Sequence, residues 1–233
     1  MIVSWFSAGV SSFMAAYLLR DKIDRIVYCH IDEQHPDSLR FLHDCESGLG
    51  KTIELIQSPY KSVKCVIDSQ RYINGPGGAA CTRLLKKRVR KEWEAKNVNG
   101  PVTYIWGYDV DETHRAERLI ESMPEAHHLF PLIDNNLTKS DCHAMADRLG
   151  IHRPVMYDMG YQNNNCIGCV KGGMWYWNQI RNDFPDVFAE RARQEREIGH
   201  SCIRGVYLDE LEPGRGKPED EISQDCGIAC LML

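Results

Sequence analysis

Three cysteines have the spacing and surroundings of metal ligands. Cys166 and Cys169 form a Cys-x-x-Cys pair that can close a tight turn over an ion or cluster, and nearby asparagines and glycines supply N–H groups for thiolate or sulfide. Cys81 follows the glycine-rich stretch GPGGAAC and opens a basic helix, whose positive end favours the thiolate. The pair is compatible with zinc, an iron–sulfur cluster or a redox dithiol, although no second pair stands at zinc-ribbon spacing. For Cys81 the alternative is a buried structural thiol.

The first twelve residues predict a phosphate site. An apolar run from Ile2 to Phe6 breaks into the small residues Ser7–Ser12, and an apolar helical pattern follows. Small side chains in such a turn let a phosphate approach the backbone N–H groups at the positive end of the helix. The alternative is an ordinary strand-to-helix turn that binds nothing.

Two further polar groups follow predicted strands. Asp32 ends the second strand, where a carboxylate can meet a ribose or an adenine edge; the alternative is an Asx-type turn. Gly107 begins an acidic loop and a helix in which Glu112 and Arg115 share one face. The pair is either an ion pair within the helix, or Arg115 joins Arg118 to hold phosphate or sulfate in bidentate fashion.

Strands alternate with helices along the first 150 residues, which predicts an α/β fold with a doubly wound, mostly parallel sheet. Ligands bind beyond the carboxyl ends of the strands in such sheets, and the polar groups above fall there. After residue 158 the sequence becomes loop-like, then helical, then rich in glycine and proline. We therefore expect a nucleotide-binding domain over residues 1–157, and a Cys-x-x-Cys-containing, cysteine-rich helical extension with a mobile tail over 158–233. The predicted strands are 2–6, 25–32, 64–69 and 101–108, and the predicted helices after the first are 37–56, 82–96, 109–122, 139–149 and 173–198.

Composition limits the class of protein. The chain has 233 residues, 43% of them hydrophobic, which suits one domain with or without an extension. A net charge of -5 argues against a general polyanion binder, so the basic run over residues 86–91 is interpreted first as a solvated helix face and second as a contact for nucleic acid or nucleotide. No membrane-spanning stretch or secretion signal is recognisable, which predicts a cytoplasmic protein without membrane partners. Ten cysteines in that setting favour metal or thiol chemistry over disulfides.

Four segments, in order, resemble the adenine nucleotide alpha hydrolase (PP-loop) superfamily, and within it the phosphoadenosine phosphosulfate and adenylyl-sulfate reductases. SWFSAGVSS is similar to the pyrophosphate-binding SGGxDS loop, and GYDVDETHRAERL to the segment G-x-R-x-x-E-S-x-x-R-A. The stretch that begins PLIDNN and ends NNNCIGC is similar to a region that ends in C-x-x-C, and the tail DCGI to E-C-G-L-H. The resemblance covers nearly the whole chain and implies a PP-loop fold with sulfur chemistry on an adenine nucleotide.

The resemblance implies roles position by position. Arg115 would contact phosphate or sulfate, Asp32 would lie near the adenosine, and Cys226 would be the nucleophile. The cysteines that match the [4Fe–4S] ligands of the iron–sulfur branch, with zinc as the alternative metal, are Cys81, Cys166 and Cys169. The residues expected to bind ATP or an adenylyl sulfate type nucleotide are Ser7, Gly9, Ser11, Ser12 and Gly107.

The chain also departs from the family pattern. Ala80 replaces one member of a cysteine pair, so either three cysteines hold a cluster with an open iron or another cysteine supplies the fourth ligand. The candidates for that ligand are Cys202, Cys226 and Cys230. Ala8 stands where the family has glycine, which is compatible with a negative φ only. Ser11 replaces an aspartate of the loop, and Asp109 replaces an arginine of the reductases.

Three functions follow from these observations. The first is a sulfonucleotide-reductase-like oxidoreductase that releases sulfite to an external thiol reductant such as thioredoxin. The second is an ATP-dependent, adenylating sulfurtransferase that modifies tRNA or DNA and delivers sulfide from a three-cysteine cluster. The third is a non-catalytic nucleotide- or metal-binding module. For each, we expect a homo-oligomer.

Overall fold

One sheet of five parallel strands organises the computed structural model, which describes residues 1–75 and 78–222. The strand order is β3-β2-β1-β4-β5, and every neighbouring pair is parallel. The predicted α/β class with a parallel sheet is thereby confirmed. The strands are β1 (Ile2–Phe6), β2 (Arg25–His30), β3 (Ile53–Gln57), β4 (Thr103–Ile105) and β5 (His127–Leu129).

Helices connect and follow the strands. Cys81 leads into a π-helical turn, Thr82–Lys87, that continues into α4, and short 3-10 turns lie at Val110–Glu112, Leu208–Glu210 and Pro218–Asp220. Among the described residues, no helix has the length and apolar character needed to cross a membrane. The α-helices are α1 (Val10–Leu18), α2 (Asp37–Leu49), α3 (Val63–Gln70), α4 (Arg88–Asn97), α5 (Thr113–Ser122), α6 (Pro131–Asp134), α7 (Lys139–Arg148), α8 (Val155–Asp158), α9 (Met174–Asp183) and α10 (Pro185–Ile198).

The central strands are buried on both faces, as expected for a parallel sheet between helices. In β1, Val3 and Trp5 join one apolar cluster with Trp93 of α4, whereas Phe6 joins the opposite cluster with Phe13 and Phe41. Because side chains alternate along a strand, one five-residue segment holds both helix layers. The backbone that leaves β1 is therefore held firmly where the chain turns into α1.

The structure differs from the sequence prediction around the third strand. The sequence predicts that a helix continues through residue 56, but residues 53–57 form β3, because Gly50 ends α2 in the left-handed conformation, with φ 63°. Residues 64–69 were predicted to form a strand and lie in α3 instead. The hydroxyl of Ser62 caps that helix by accepting a hydrogen bond from the Cys65 N–H.

A third apolar cluster joins the cysteine-bearing parts of the chain. It contains Ile67 from α3 and Leu85 from the π-helical turn, together with Tyr176 and Trp177 from α9. Cys81, Cys166, Cys169 and Cys202 are all buried in this cluster. The cluster thus combines residues from both sides of the expected boundary at residue 157, and cysteines that are far apart in sequence share one core.

Asp37 connects α2 to α8, and we expect its replacement to destabilise the fold. Its carboxylate accepts two hydrogen bonds from Arg40, at 2.7 and 2.8 Å, and one from the Val155 N–H at 2.8 Å. The Arg40 hydrogen bond, opposed by burial, holds the pKa of Asp37 below its ordinary 3.8. Asp37→Asn should lower the free energy of unfolding by about 1 to 2 kcal/mol at neutral pH.

The pH dependence of that loss follows from the lowered pKa. A carboxyl whose folded pKa lies below its unfolded value contributes stability above the unfolded pKa and loses it as the pH falls through the folded pKa. The difference between wild type and Asp37→Asn in urea titrations should therefore shrink as the pH is lowered below 3.8. Asp21→Asn, at an exposed position, is the matched control. A difference that stays constant down to acid unfolding would contradict the role given to Asp37.

Candidate functional site

The bend between β1 and α1 presents backbone donors at a helix N-terminus. Gly9 is the N-cap residue of α1, and no side chain caps it. The Ser12 hydroxyl donates to the Gly9 carbonyl at 2.8 Å and accepts from the Ser7 N–H at 3.1 Å and the Ser7 hydroxyl at 3.0 Å. Ser12 therefore holds the bend closed, whereas Ser7 is exposed at its surface. This is the geometry in which small residues leave room for an anion.

Ala8 corrects an expectation drawn from the sequence. Its φ is 58°, in the left-handed region, and not the negative value that an alanine in place of glycine was expected to require. A side chain in this conformation costs about 1 to 2 kcal/mol. The conformation is held by the Asn164 side chain, whose Nδ2 donates to the Ala8 carbonyl at 2.8 Å. Strain of this kind concentrates at functional sites.

Residues from three other segments support the bend. The Tyr157 hydroxyl hydrogen-bonds to the backbone of Val10 and of Asn164, and burial raises the pKa of Tyr157 to about 12. Ser11 hydrogen-bonds to the thiol of Cys142 in α7. A Cβ on Gly107 would lie 2.6 Å from the Cα of Ser12, so only glycine lets β4 lead this close to α1. The bend is therefore positioned by the fold and not by its own sequence alone.

Two buried carboxyl groups, of Asp109 and Glu221, and the half-buried Lys139 lie beside the bend. Lys139, at the start of α7, donates to the Asn163 side chain at 2.9 Å, and burial lowers the pKa of its ammonium while Asp109 and Glu221 raise it. Burial raises the pKa of Asp109, although the charge of Lys139 acts to lower it. Burial also raises the pKa of Glu221. Neither Lys139 nor Glu221 lies in a recognisable sequence pattern, so nothing in the sequence indicates a role for them.

Three buried polar atoms near the bend have no hydrogen-bond partner within the described residues. They are Oδ1 of Asn164, Oε1 of Glu221 and Nδ1 of His143, whose ring packs edge-on against Tyr157 with centroids 4.7 Å apart. Buried polar groups are nearly always paired in folded proteins. Each of these atoms could therefore accept or donate a hydrogen bond to a polar ligand.

Arg115 and Asp32 occupy the edges of this region. Arg115 forms an ion pair with Glu112 and packs over the Tyr108 ring, with its guanidinium carbon 4.4 Å from the ring centroid. The ion pair within the helix, one of the two alternatives for Arg115, is thus present. Asp32 lies past the end of β2, is exposed, and accepts from the Gln57 side chain at 2.7 Å.

The Cys-x-x-Cys turn is closed by one buried tyrosine. The Tyr176 hydroxyl accepts from the Cys169 N–H at 2.9 Å and donates to the Cys166 carbonyl at 2.8 Å. Gly168, between the cysteines, has φ 72°, which a residue with a side chain rarely adopts. The turn thus directs two buried thiols to the same side of the chain as the start of the π-helical turn.

Cys81 meets these two thiols at a small apolar void. The void is lined by the three cysteines together with Thr82, Lys86 and apolar residues, and its volume is about 10 Å³. Such a space holds about one water molecule. A π-helical turn directly after Cys81 is a feature that often accompanies functional sites. The three cysteines predicted as metal ligands are therefore brought together around one void.

The three thiols and the Ser7–Ser12 bend lie at the same edge of the sheet. Asn164, which binds Ala8, precedes Cys166 by two residues. Past the end of β2, Gln34 pairs with Cys166 in an antiparallel bridge, and the Ile167 N–H donates to the Glu33 carbonyl at 2.8 Å. The Cys-x-x-Cys turn is therefore hydrogen-bonded to the segments that leave both β1 and β2.

The donor set fits an iron–sulfur cluster by its chemistry. Three thiols and the Lys86 side chain face one apolar void, and thiolates with nearby cations are what such clusters require. Among the described residues, no three His, Cys, Asp or Glu side chains are grouped as one metal ion needs. In tetrahedral zinc the sulfurs lie about 3.8 Å apart, whereas a cluster holds each thiolate on its own iron. The void would have to widen to admit a cluster.

The basic run over residues 86–91 is not one solvated face. Lys86 faces the void, and Arg90 is buried with a hydrogen bond to Glu94 at 2.8 Å. Arg88 is exposed but paired with Glu92 at 2.6 Å. The run is divided between core and surface, so the expectation of a continuous basic face is wrong.

The remaining cysteines are placed as follows. None of the eight cysteines within residues 1–75 and 78–222 is in a disulfide. Cys226 and Cys230 lie outside the described residues. The described chain ends at Ile222, which pairs with Gly172 beside the Cys-x-x-Cys turn, and the Gly173 N–H donates to the Glu221 carbonyl at 3.0 Å.

Gly107→Ala should disturb the bend with little change elsewhere. Its Cβ would lie 2.6 and 2.7 Å from the Ser12 Cα and N, and backbone atoms cannot rotate away as a side chain can. We expect a loss of about 1 to 3 kcal/mol in the free energy of unfolding, and a loss of about tenfold or more in nucleotide affinity by calorimetric titration.

Gly48→Ala is the matched control for that variant. Its Cβ, inside α2, would meet only side chains, Ile151 at 3.3 Å and the edge of the Phe13 ring at 3.4 Å, and no backbone atom of the bend. Nucleotide affinity should stay unchanged there. Unchanged affinity in folded Gly107→Ala would move the nucleotide site elsewhere.

Comparison with known proteins agrees with this architecture. No protein-family model matches the chain, and no curated protein sequence matches it. Among solved structures, it is similar to the phosphoadenylyl-sulfate (PAPS) reductase of Candida auris in a phosphate complex, with a TM-score of 0.50 and 10% identity over 69% of this chain and 78% of that chain. At this identity the likeness shows the fold alone: the chain has a PAPS reductase-like fold.

Proposed function

We propose that this chain is a sulfonucleotide-reductase-like enzyme that binds an adenine nucleotide at the Ser7–Ser12 bend and acts on sulfur beside an iron–sulfur cluster. The observation that carries the proposal is the 2.8 Å hydrogen bond from Asn164 to the Ala8 carbonyl. It joins the strained phosphate bend to the segment that enters the Cys-x-x-Cys turn. A nucleotide phosphate at the bend and a cluster at Cys81, Cys166 and Cys169 would then be neighbours.

The binding step uses groups of this chain. Gly9 provides no side-chain cap for α1, although the Val10 N–H bonds to the Tyr157 hydroxyl, and the helix dipole favours a negatively charged phosphate at this N-terminus. Lys139 and Arg115 supply positive charge beside the bend, although Arg115 would have to exchange its Glu112 partner for the ligand. Asp32, at the exposed end of β2, is available to the ribose or adenine.

The sulfur step is assigned to Cys226. Its thiolate attacks the sulfate sulfur of adenylyl sulfate, the bond from that sulfur to the bridging phosphate oxygen breaks, and AMP leaves with the electron pair. A dithiol reductant of the thioredoxin type then attacks the Cys226 sulfur and releases sulfite, and the reductant ends as a disulfide while sulfur(VI) becomes sulfur(IV). The cluster, when bound, would set the electrostatic environment beside the sulfate. A reducing cytoplasm suits this chemistry.

The test is an anaerobic assay with three substrates in parallel: adenylyl sulfate, its 3′-phosphorylated form, and ATP with tRNA. Sulfite together with AMP or its 3′-phosphate, from either of the first two, is the expected result. Pyrophosphate and AMP from the ATP and tRNA arm alone would establish the sulfurtransferase instead. Nucleotide binding without any product would establish a binding module.

A further inference from the structure

A fourth buried cysteine lies in the same core as the three thiols. Cys202 follows α10, is 8% exposed, and belongs to the apolar cluster of Cys81, Cys166 and Cys169. Burial raises the pKa of the Cys202 thiol well above its ordinary value, Arg191 opposes that effect, and Glu195 and Cys81 add to it. Cys202 and Cys81 therefore share one buried apolar core.

Two neighbouring residues tie the cysteine-bearing segments together. The Asn74 side chain donates to the Val170 carbonyl at 2.6 Å and to the Cys202 carbonyl at 3.1 Å. The carbonyl of Ile73 accepts from the Ala80 N–H at 3.4 Å. Asn74 and Ile73 therefore contact the residue after Cys169, Cys202 itself, and the residue before Cys81.

Arg191, whose charge acts on Cys202, is a buried guanidinium with an unpaired Nε among the described residues. Arg191 is 4% exposed, and within the described residues its Nε has no hydrogen-bond partner, although Nη1 donates to the Gln194 side chain at 2.7 Å. A buried guanidinium without full pairing is costly. The thiolate and sulfide groups of an iron–sulfur cluster would accept a hydrogen bond from this guanidinium, and the net negative charge of the cluster would offset its positive charge.

Hydrogen bonds to Glu195 fix the backbone around Cys202. The buried carboxylate of Glu195 accepts from the Cys202 N–H and, at 2.7 Å, from the Leu208 N–H. The Cys202 thiol also hydrogen-bonds to Glu195, so ligation requires the thiol to give up its proton to solvent and to turn toward the void.

We infer that Cys202 is the fourth cluster ligand, so that Cys81, Cys166, Cys169 and Cys202 bind the four irons. This inference rests on the proposed function. Cys202 would take the role of the family's second paired cysteine, at whose position this chain has Ala80. With four thiolates no iron is left open, which removes the place where sulfide would be held for delivery. Cys202 therefore favours the reductase over the sulfurtransferase.

The test replaces the Cys202 sulfur with selenium and measures X-ray absorption at the selenium edge after anaerobic reconstitution with iron and sulfide. Cys202→Sec keeps the size and shape of the side chain, so we expect folding to be retained. We expect a selenium–iron scattering shell at bonding distance. Cys65→Sec, at an exposed position in α3, is the matched control and should show none. In Cys202→Ser, iron content should fall from about four to about three per chain.

The outcomes separate this inference from the proposed function. Selenium without iron neighbours, in protein that holds about four irons per chain, would overturn the role of Cys202 and leave the cluster in place. A wild-type protein that binds no iron would overturn both. If Cys202→Ser fails to fold, the selenium measurement alone decides.

Discussion

Cys226→Ser is expected to reduce sulfite release from adenylyl sulfate by about 1000-fold or more, with the absorption spectrum of the cluster unchanged. The proposed step needs a thiolate. A serine hydroxyl stays protonated at neutral pH, and the proposed step includes no base that would deprotonate it. The measurement is anaerobic turnover with a dithiol reductant, with sulfite quantified and iron counted in the same preparation. In wild-type protein without reductant, mass spectrometry should find sulfite added to Cys226.

Cys230→Ser is the control for that variant, because it removes a thiol four residues away in the same tail. It should turn over at the wild-type rate. Unaltered turnover in Cys226→Ser would remove the nucleophile assignment. Loss of the cluster spectrum in Cys226→Ser would make that residue a ligand, and it would contradict the assignment of Cys202.

Cys166→Ser should abolish the cluster. Cys166 is buried, lines the void with Cys81 and Cys169, and has its carbonyl held by Tyr176 at 2.8 Å. A weaker oxygen ligand at this position leaves Cys169 as the one thiol of the turn, and we expect iron content to fall from about four to less than about one per chain. Anaerobic purification, iron and sulfide analysis and visible absorption measure the effect.

Cys65→Ser is the corresponding control, because that thiol is exposed on α3 and faces neither the void nor the bend. It should keep full iron content and colour. A colourless wild-type protein that carries zinc would contradict the cluster assignment, as would a Cys166→Ser protein that keeps its brown colour.

The fold class could be predicted from the sequence, but many of the contacts that position the candidate site could not. The parallel α/β class followed from alternation of apolar strands with helices, and the bend at Ser7–Ser12 was found at the predicted strand end. The Ser62 cap was a local signal that could have identified α3, but the β-branched residues of 64–69 favoured a strand. The capping signal and the β-branched residues thus predict different secondary structures for the same segment, and tertiary packing decides between them.

Long-range contacts had no local signal. The hydrogen bond between Asn164 and Ala8 joins residues 156 positions apart, and it supports a left-handed alanine that the sequence argued against. Lys139 and Glu221 stand outside every recognised pattern, since their proximity to the bend is made by packing. Cys202 was one of several candidate ligands in the sequence, and only its place in the shared core separates it from the others.

The most direct test of the shared site is iron-edge anomalous diffraction from anaerobically grown crystals soaked with adenylyl sulfate. The account predicts an iron peak among Cys81, Cys166 and Cys169, and nucleotide phosphate density at the N-terminus of α1 on the same edge of the sheet. Iron bound elsewhere, or a nucleotide bound away from Ser7–Ser12, would contradict it.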